Sequence, residues 1–78
     1  MSESIESRVI KCISEQSGLQ KSLIRPSSLL NRLQLDSLDI LESVMIIEDE
    51  FEIEISDDDV DEFSTVQDMI NCVTRVMK

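Results

Sequence analysis

Histidine is absent from the chain, which removes Ser-His-Asp and Cys-His nucleophilic sites along with every imidazole metal ligand. Tryptophan and tyrosine are absent too, and aromatics are only 3% of the residues, so any core must be aliphatic. One glycine and one proline leave little turn chemistry for an all-β fold. The two cysteines, Cys12 and Cys72, lie far apart without Cys-x-x-Cys spacing, and no signal-peptide pattern is read ahead of them. Both are therefore expected as reduced, buried or half-buried thiols. No apolar run approaches membrane-spanning length, the stretch Val44 to Ile47 being four residues. Basic residues are missing altogether between Arg32 and Arg75.

That last gap is filled with acids, and the formal net charge is -10. Such a field repels nucleic acid and anionic membrane surfaces and attracts basic protein patches, with an association rate that falls as salt rises. Seventy-eight residues make a single domain, 1–78, able to build one small core. Hydrophobic residues at 41% suffice for globular order. Paired carboxylates are abundant, yet carboxylate catalysis needs a cleft that perturbs one of them, and a chain this small is poorly suited to one. A soluble, cytoplasmic, monomeric protein without catalytic residues is expected.

Along the chain, Ile5, Val9, Cys12, Ile13 and Gln16 recur at helical spacing, predicting a first helix over Glu3 to Ser17 with Arg8, Lys11 and Glu15 on its solvent side. Gly18 follows where a left-handed terminator is wanted. Residues 19 to 35 form a long connection that Pro26 keeps from being helical; its leucines, Leu19, Leu23, Leu29, Leu30 and Leu33, imply that it is packed down. Ser27 or Ser28 is expected to cap one short turn in which Leu29 and Leu33 share a face. A second helix starts with Asp36 as N-cap and Asp39 in its first turn, and runs to Glu50 or Glu52. The alternating Phe51 to Ile55 segment reads as an extended connector that tucks Ile53 or Ile55 inward. Ser56 caps a short helix from Asp57 to Phe63, with Val60 and Phe63 facing in. Ser64 or Thr65 caps a last helix over Val66 to Met77, whose apolar face is Val66, Met69, Ile70, Val73 and Met77. The fold class is all-α: a small four-helix bundle of three longer helices and one short one, with a long ordered loop between the first two.

The second helix carries one apolar stripe too many. At about 100° per residue, Ile40, Val44, Ile47 and Phe51 fall in one stripe, while Leu38, Leu41 and Met45 form another roughly 120° away. The first suffices for the core. The second is bordered by Glu42, Glu48 and Asp49, an apolar strip in an acidic rim that suits a partner surface. Ile46 projects away from both, and Ser37 sits at the head of the strip. A calcium loop is not read elsewhere: Asp57-x-Asp59-x-Asp61 begins like one, but Glu62 stands where the turn needs glycine and Asp68 where a bidentate glutamate belongs.

Asp36-Ser37-Leu38-Asp39, followed by an apolar-acidic helix with Val44-Met45 and Glu48-Asp49-Glu50-Phe51, then Glu54-Ile55 and Thr65-Val66-Gln67, resembles the acyl carrier protein family over nearly the whole chain. The resemblance implies that Ser37 carries 4′-phosphopantetheine through a phosphodiester and that acyl groups ride on its terminal thiol as thioesters. It also implies that Asp36, Leu38, Asp39, Leu41, Glu42, Met45, Glu48 and Asp49 form a docking side for basic patches on a phosphopantetheinyl transferase and acyl-processing enzymes. Fatty-acid biosynthesis is the implied pathway. A specialised aminoacyl or polyketide carrier, or an acidic interaction module without a prosthetic group, are the alternatives. Three positions depart from the usual pattern: Gln34 and Leu35 stand where Gly and Ala are common, and Ser56 where Pro is frequent.

Overall fold

A computed structural model describes residues 4–77. Four α-helices follow in order, α1 (Ile5–Ser17), α2 (Ser37–Phe51), α3 (Asp57–Asp61) and α4 (Val66–Val76), with a single 3-10 turn, Lys21–Leu23, in the loop after α1. The described residues contain no strand, so the expected four-helix architecture with a long ordered loop is the one observed. The expected start of the first helix at Glu3 lies outside the described residues.

Each helix begins where a short polar side chain replaces the missing backbone acceptors of its first turn. Ser4 accepts from the Ser7 N–H, Ser56 from Asp59, Asp36 from Asp39 and Thr65 from Asp68; the last two are reciprocal capping boxes. Gly18 ends α1 at φ 78, a conformation open to glycine without steric cost. Glu52 ends α2 in the same left-handed region at φ 55, a non-glycine residue in a glycine position. The short helix stops at Asp61 rather than Phe63, because the Glu62 N–H already bonds back to Asp59 in a tighter turn.

α1 packs against α2 and α4. Val9, Cys12 and Ile13 of α1 meet Val44, Ile47 and Phe51 of α2 and Val66, Met69, Ile70, Cys72 and Val73 of α4 in one cluster, joined by Ile24, Leu30, Leu35 and Ile55. Each fully buried aliphatic side chain there contributes about 1.5–3 kcal/mol against its exposed state. The core is aliphatic and sulfur-containing apart from Phe51, as the composition demands.

The loop is held from two sides. Leu30 N–H donates to Ser64 O, Val66 N–H to Ser28 O and Gln67 N–H to Pro26 O, so residues 26–30 lie antiparallel beside the start of α4. Leu30 is buried and Leu19 and Leu33 half-buried, but Leu23 and Leu29 are 58% and 43% exposed. Uniform packing of the loop leucines is thus corrected: Leu30 is buried where residues 26–30 bond to 64–67, and after the 3-10 turn Ile24 takes an inward place that Leu23 does not. Ser28 does not cap the turn of Leu29 and Leu33: its Oγ accepts the Arg25 N–H in the preceding 25–28 turn, and Leu29 and Leu33 differ in exposure.

Two other side chains depart from expectation. Arg8 is not a solvent residue: its guanidinium lies 4.2 Å from the Phe51 ring centroid and pairs with Glu50 at 2.9 Å, tying α1 to the end of α2. Met77 follows the helical period but falls beyond α4 and is 46% exposed, and Cys72 fills the inner face instead.

Candidate functional site

Ser37 is the first residue of α2, exposed, with its hydroxyl making no hydrogen bond among the described residues. The Asp36 carboxylate is occupied with the Asp39 N–H at 2.9 Å, and Asp39 Oδ2 accepts the Asp36 N–H at 3.2 Å. The N–H groups of Ser37 and Leu38 therefore have no acceptor among the described residues and point out of the helix start. A phosphate ester at Ser37 would meet two free donors and the positive end of the helix dipole.

Beside Ser37 lies a groove of about 510 Å³, lined by Ile40, Leu41, Asp57, Val60, Asp61 and Phe63. Ile40 is half-buried rather than sealed in the core with Val44 and Ile47, because its side chain forms the floor of this groove. A second groove, lined by Leu29, Leu35, Ile40 and Phe63 among others, shares that floor. The inward-facing Val60 and Phe63 were legible in the sequence, but their meeting with Ser37 was not, since it depends on how α3 lies over α2.

The strip along α2 is open. Leu38, Leu41 and Met45 are 63%, 43% and 58% exposed, with Glu42 and Asp49 exposed beside them. Ile46 is half-buried against the core edge and, with Gln16, Glu42, Met45 and Asp49, lines a shallow pocket on that side.

Not every acid of the strip is free. Glu48 is half-buried, and its Oε2 accepts the Ile55 N–H at 2.8 Å, holding down the connector after α2. Asp39 has both oxygens engaged, Oδ1 by Gln16 Nε2 at 3.1 Å and Oδ2 by the Asp36 backbone. The Gln16 hydrogen bond, followed by that from Asp36, holds the Asp39 carboxyl below the usual range. Of the eight residues expected on the docking side, Glu42 and Asp49 remain as exposed acids without such a bond among the described residues, and Asp36 is exposed while capping α2.

The two sequence departures before Ser37 have physical counterparts. Gln34 adopts φ 62, the left-handed region where glycine is at ease, and Leu35 is buried at 7%, filling core space an alanine would leave open. Ser56 supplies α3 with a side-chain cap.

A small helical bundle with an exposed serine hydroxyl at a helix start, a groove beside it and an open apolar-acidic flank has the form of a carrier domain. The family model described as the phosphopantetheine attachment site matches residues 7–73, and the chain belongs to this family. Its structure is also similar to the crystal structure of an acyl carrier protein from Thermotoga maritima, with a TM-score of 0.81, 27% identity, and coverage of 91% of this chain and 84% of that one. The protein is a phosphopantetheine-dependent carrier. No helix among the described residues is long and apolar enough to cross a membrane.

Proposed function

We propose that Ser37 is the attachment residue and that the chain, as one domain over 1–78, acts as a non-catalytic cytoplasmic acyl carrier serving fatty-acid biosynthesis. The observation that carries this is the placement of the Ser37 hydroxyl: exposed, at the first position of α2, and, like the two backbone N–H groups beside it, without a hydrogen-bond partner among the described residues. In the modification, Ser37 gives up its hydroxyl proton and its Oγ forms a phosphodiester as the pyrophosphate linkage of coenzyme A breaks and adenosine 3′,5′-bisphosphate leaves. Once attached, the arm supplies a terminal thiol that holds acyl groups as thioesters.

The chain's own residues prepare this. Asp36 and Asp39 fix the first turn through their capping box. Ile40, Leu41, Val60 and Phe63 give the adjoining groove apolar walls, while Asp57 and Asp61 offer acceptors to amide N–H groups. The exposed strip Leu38, Leu41 and Met45, with Asp36, Glu42 and Asp49 also exposed, suits enzymes that present a basic rim around an apolar patch. Cys12 and Cys72 are free and buried, which agrees with a reducing compartment.

Incubation with a phosphopantetheinyl transferase and coenzyme A, followed by intact-mass measurement, tests the assignment. One phosphopantetheine added to the native chain and none to Ser37→Ala is the expected result; no addition, or addition that survives Ser37→Ala, refutes it. Identification of the thioester cargo on the purified protein tests the pathway, and an aminoacyl or polyketide cargo would redirect it to a specialised one.

A further inference from the structure

Gln16 is a polar residue on the apolar stripe of α1, half-buried, and it spends its amide on the helix opposite. Its Nε2 donates to Asp39 Oδ1 at 3.1 Å, and its Oε1 accepts from the Ser43 hydroxyl at 3.4 Å. The orientation follows from chemistry: an ionised carboxylate only accepts, so the amide NH2 must face Asp39, which turns the carbonyl to Ser43. Ser43 is 1% exposed, and this bond satisfies its otherwise buried hydroxyl.

The capping box of α2 therefore has a third member from another helix. Asp39 cannot rotate to follow solvent while Gln16 holds Oδ1, and with Asp39 fixed its Oδ2 keeps the Asp36 N–H. Ser37 lies between these two residues, so both flanks of its backbone are pinned to a chain of contacts that ends in the body of α1. No contact between Gln16 and Ser37 is needed.

We infer that Gln16 is a positioning residue for the modification of Ser37, acting through Asp39 to hold the first turn of α2 in the form a transferase accepts. This deepens the proposed function and rests on Ser37 being the attachment residue. When the competent form of a binding surface is populated only in part, its apparent affinity falls by that fraction. Loss of the Gln16 clamp thus acts on KM for the carrier, while the chemical step, which the transferase supplies, keeps its kcat.

The test compares the native chain with Gln16→Met, which keeps the side-chain volume without the amide, and with Val73→Ala, which weakens the core on α4 away from the site. Transferase kinetics with coenzyme A are read by intact mass, at a temperature where all three are folded, together with amide hydrogen exchange at Ser37 and Leu38. Gln16→Met is expected to raise KM about five-fold with kcat within two-fold, in line with a reduced competent fraction, and to speed exchange at the first turn of α2. Val73→Ala is expected to lower the melting temperature with KM unchanged. A native chain that is modified alongside a Gln16→Met variant with unchanged KM overturns the positioning role alone, as does a KM rise shared equally by Val73→Ala. A native chain that accepts no phosphopantetheine overturns the attachment assignment, and the positioning role with it.

Discussion

Glu52 closes α2 at φ 55 and ψ 50, a left-handed conformation that costs a residue with a side chain about 1–2 kcal/mol. The local geometry does not let it relax. Its own N–H and that of Ile53 both return to Glu48 O, and the Glu48 carboxylate holds Ile55, so the chain on either side of Glu52 is fixed. Glycine relieves the strain, but it also loosens the unfolded chain, which takes back about 0.4–1 kcal/mol. The balance is a net gain of up to about 1.6 kcal/mol, centred near 0.8 kcal/mol, for Glu52→Gly from the backbone alone. A second, smaller gain comes from removing a negative charge at the negative end of the helix dipole. Glu52→Gln isolates that part, because it removes the charge and keeps the strain. In a domain of this size, 1 kcal/mol shifts the melting temperature by about 4–8 °C. Thermal and urea unfolding should therefore rank the three proteins as native, then Glu52→Gln, then Glu52→Gly, with a gap of several degrees between the variants. A Gly variant less stable than the Gln variant by about 0.4–1 kcal/mol, the entropic cost of glycine alone, would show that the left-handed turn stores no strain, and the reasoning would fall.

Asp68 accepts the Ser64 and Thr65 N–H groups at the start of α4, and these bonds, Ser64 first, hold its carboxyl below the usual range. Its contribution to stability is complete above the unfolded carboxyl pKa of about 4 and is lost as pH falls through the lower native value. The urea midpoints of native protein and Asp68→Asn should therefore differ at pH 6 and converge toward pH 2; a constant gap would refute this origin. Burial, reinforced by Glu50 and Glu15, pushes the Cys12 thiol up to about 11, so iodoacetamide at pH 8 should label it in urea and leave it unmodified in the folded protein. Because that pKa is raised, the associated stability is present below the ordinary thiol range and declines as pH rises from about 8.5 toward the native value. Met45→Glu places a charge on a side chain that is 58% exposed; stability should stay within about 0.5 kcal/mol, while transferase KM rises about ten-fold if the strip is the docking surface, equivalent to about 1.4 kcal/mol.

How much of this is legible in the sequence depends on whether a signal is local. Caps and helical period are local, and with them the four helices, the Gly18 stop and the exposed strip of Leu38, Leu41 and Met45 were within reach. Arg8 was misplaced because charge alone sends an arginine to solvent, whereas its stem and flat guanidinium cover the Phe51 ring from a helix 43 positions away in sequence, a contact that no periodicity encodes. Leu23 and Leu29 were misplaced because a loop has no period: Leu23 sits in a 3-10 turn bonded locally, and the segment of Leu29 is held by residues 64–67. Met77 failed for the opposite reason, since the apolar period outlasts the helix.

The site shows the same division more sharply. A row of acids along α2 looks uniform when counted as charge, and only the fold separates them. Asp36, Asp39 and Glu48 each give oxygens to the chain's own N–H groups, the first two at the head of α2 and the third at its end, while Glu42 and Asp49 face outward. Neutralising an inward acid should therefore loosen α2 at one terminus, and neutralising an outward one should change the long-range field seen by a basic partner, with salt reducing only the second effect. The trace of this in the sequence was Gln16: a side chain with two hydrogen-bonding ends on an apolar stripe must find buried partners, and only the first turns of α2 lie opposite to provide them.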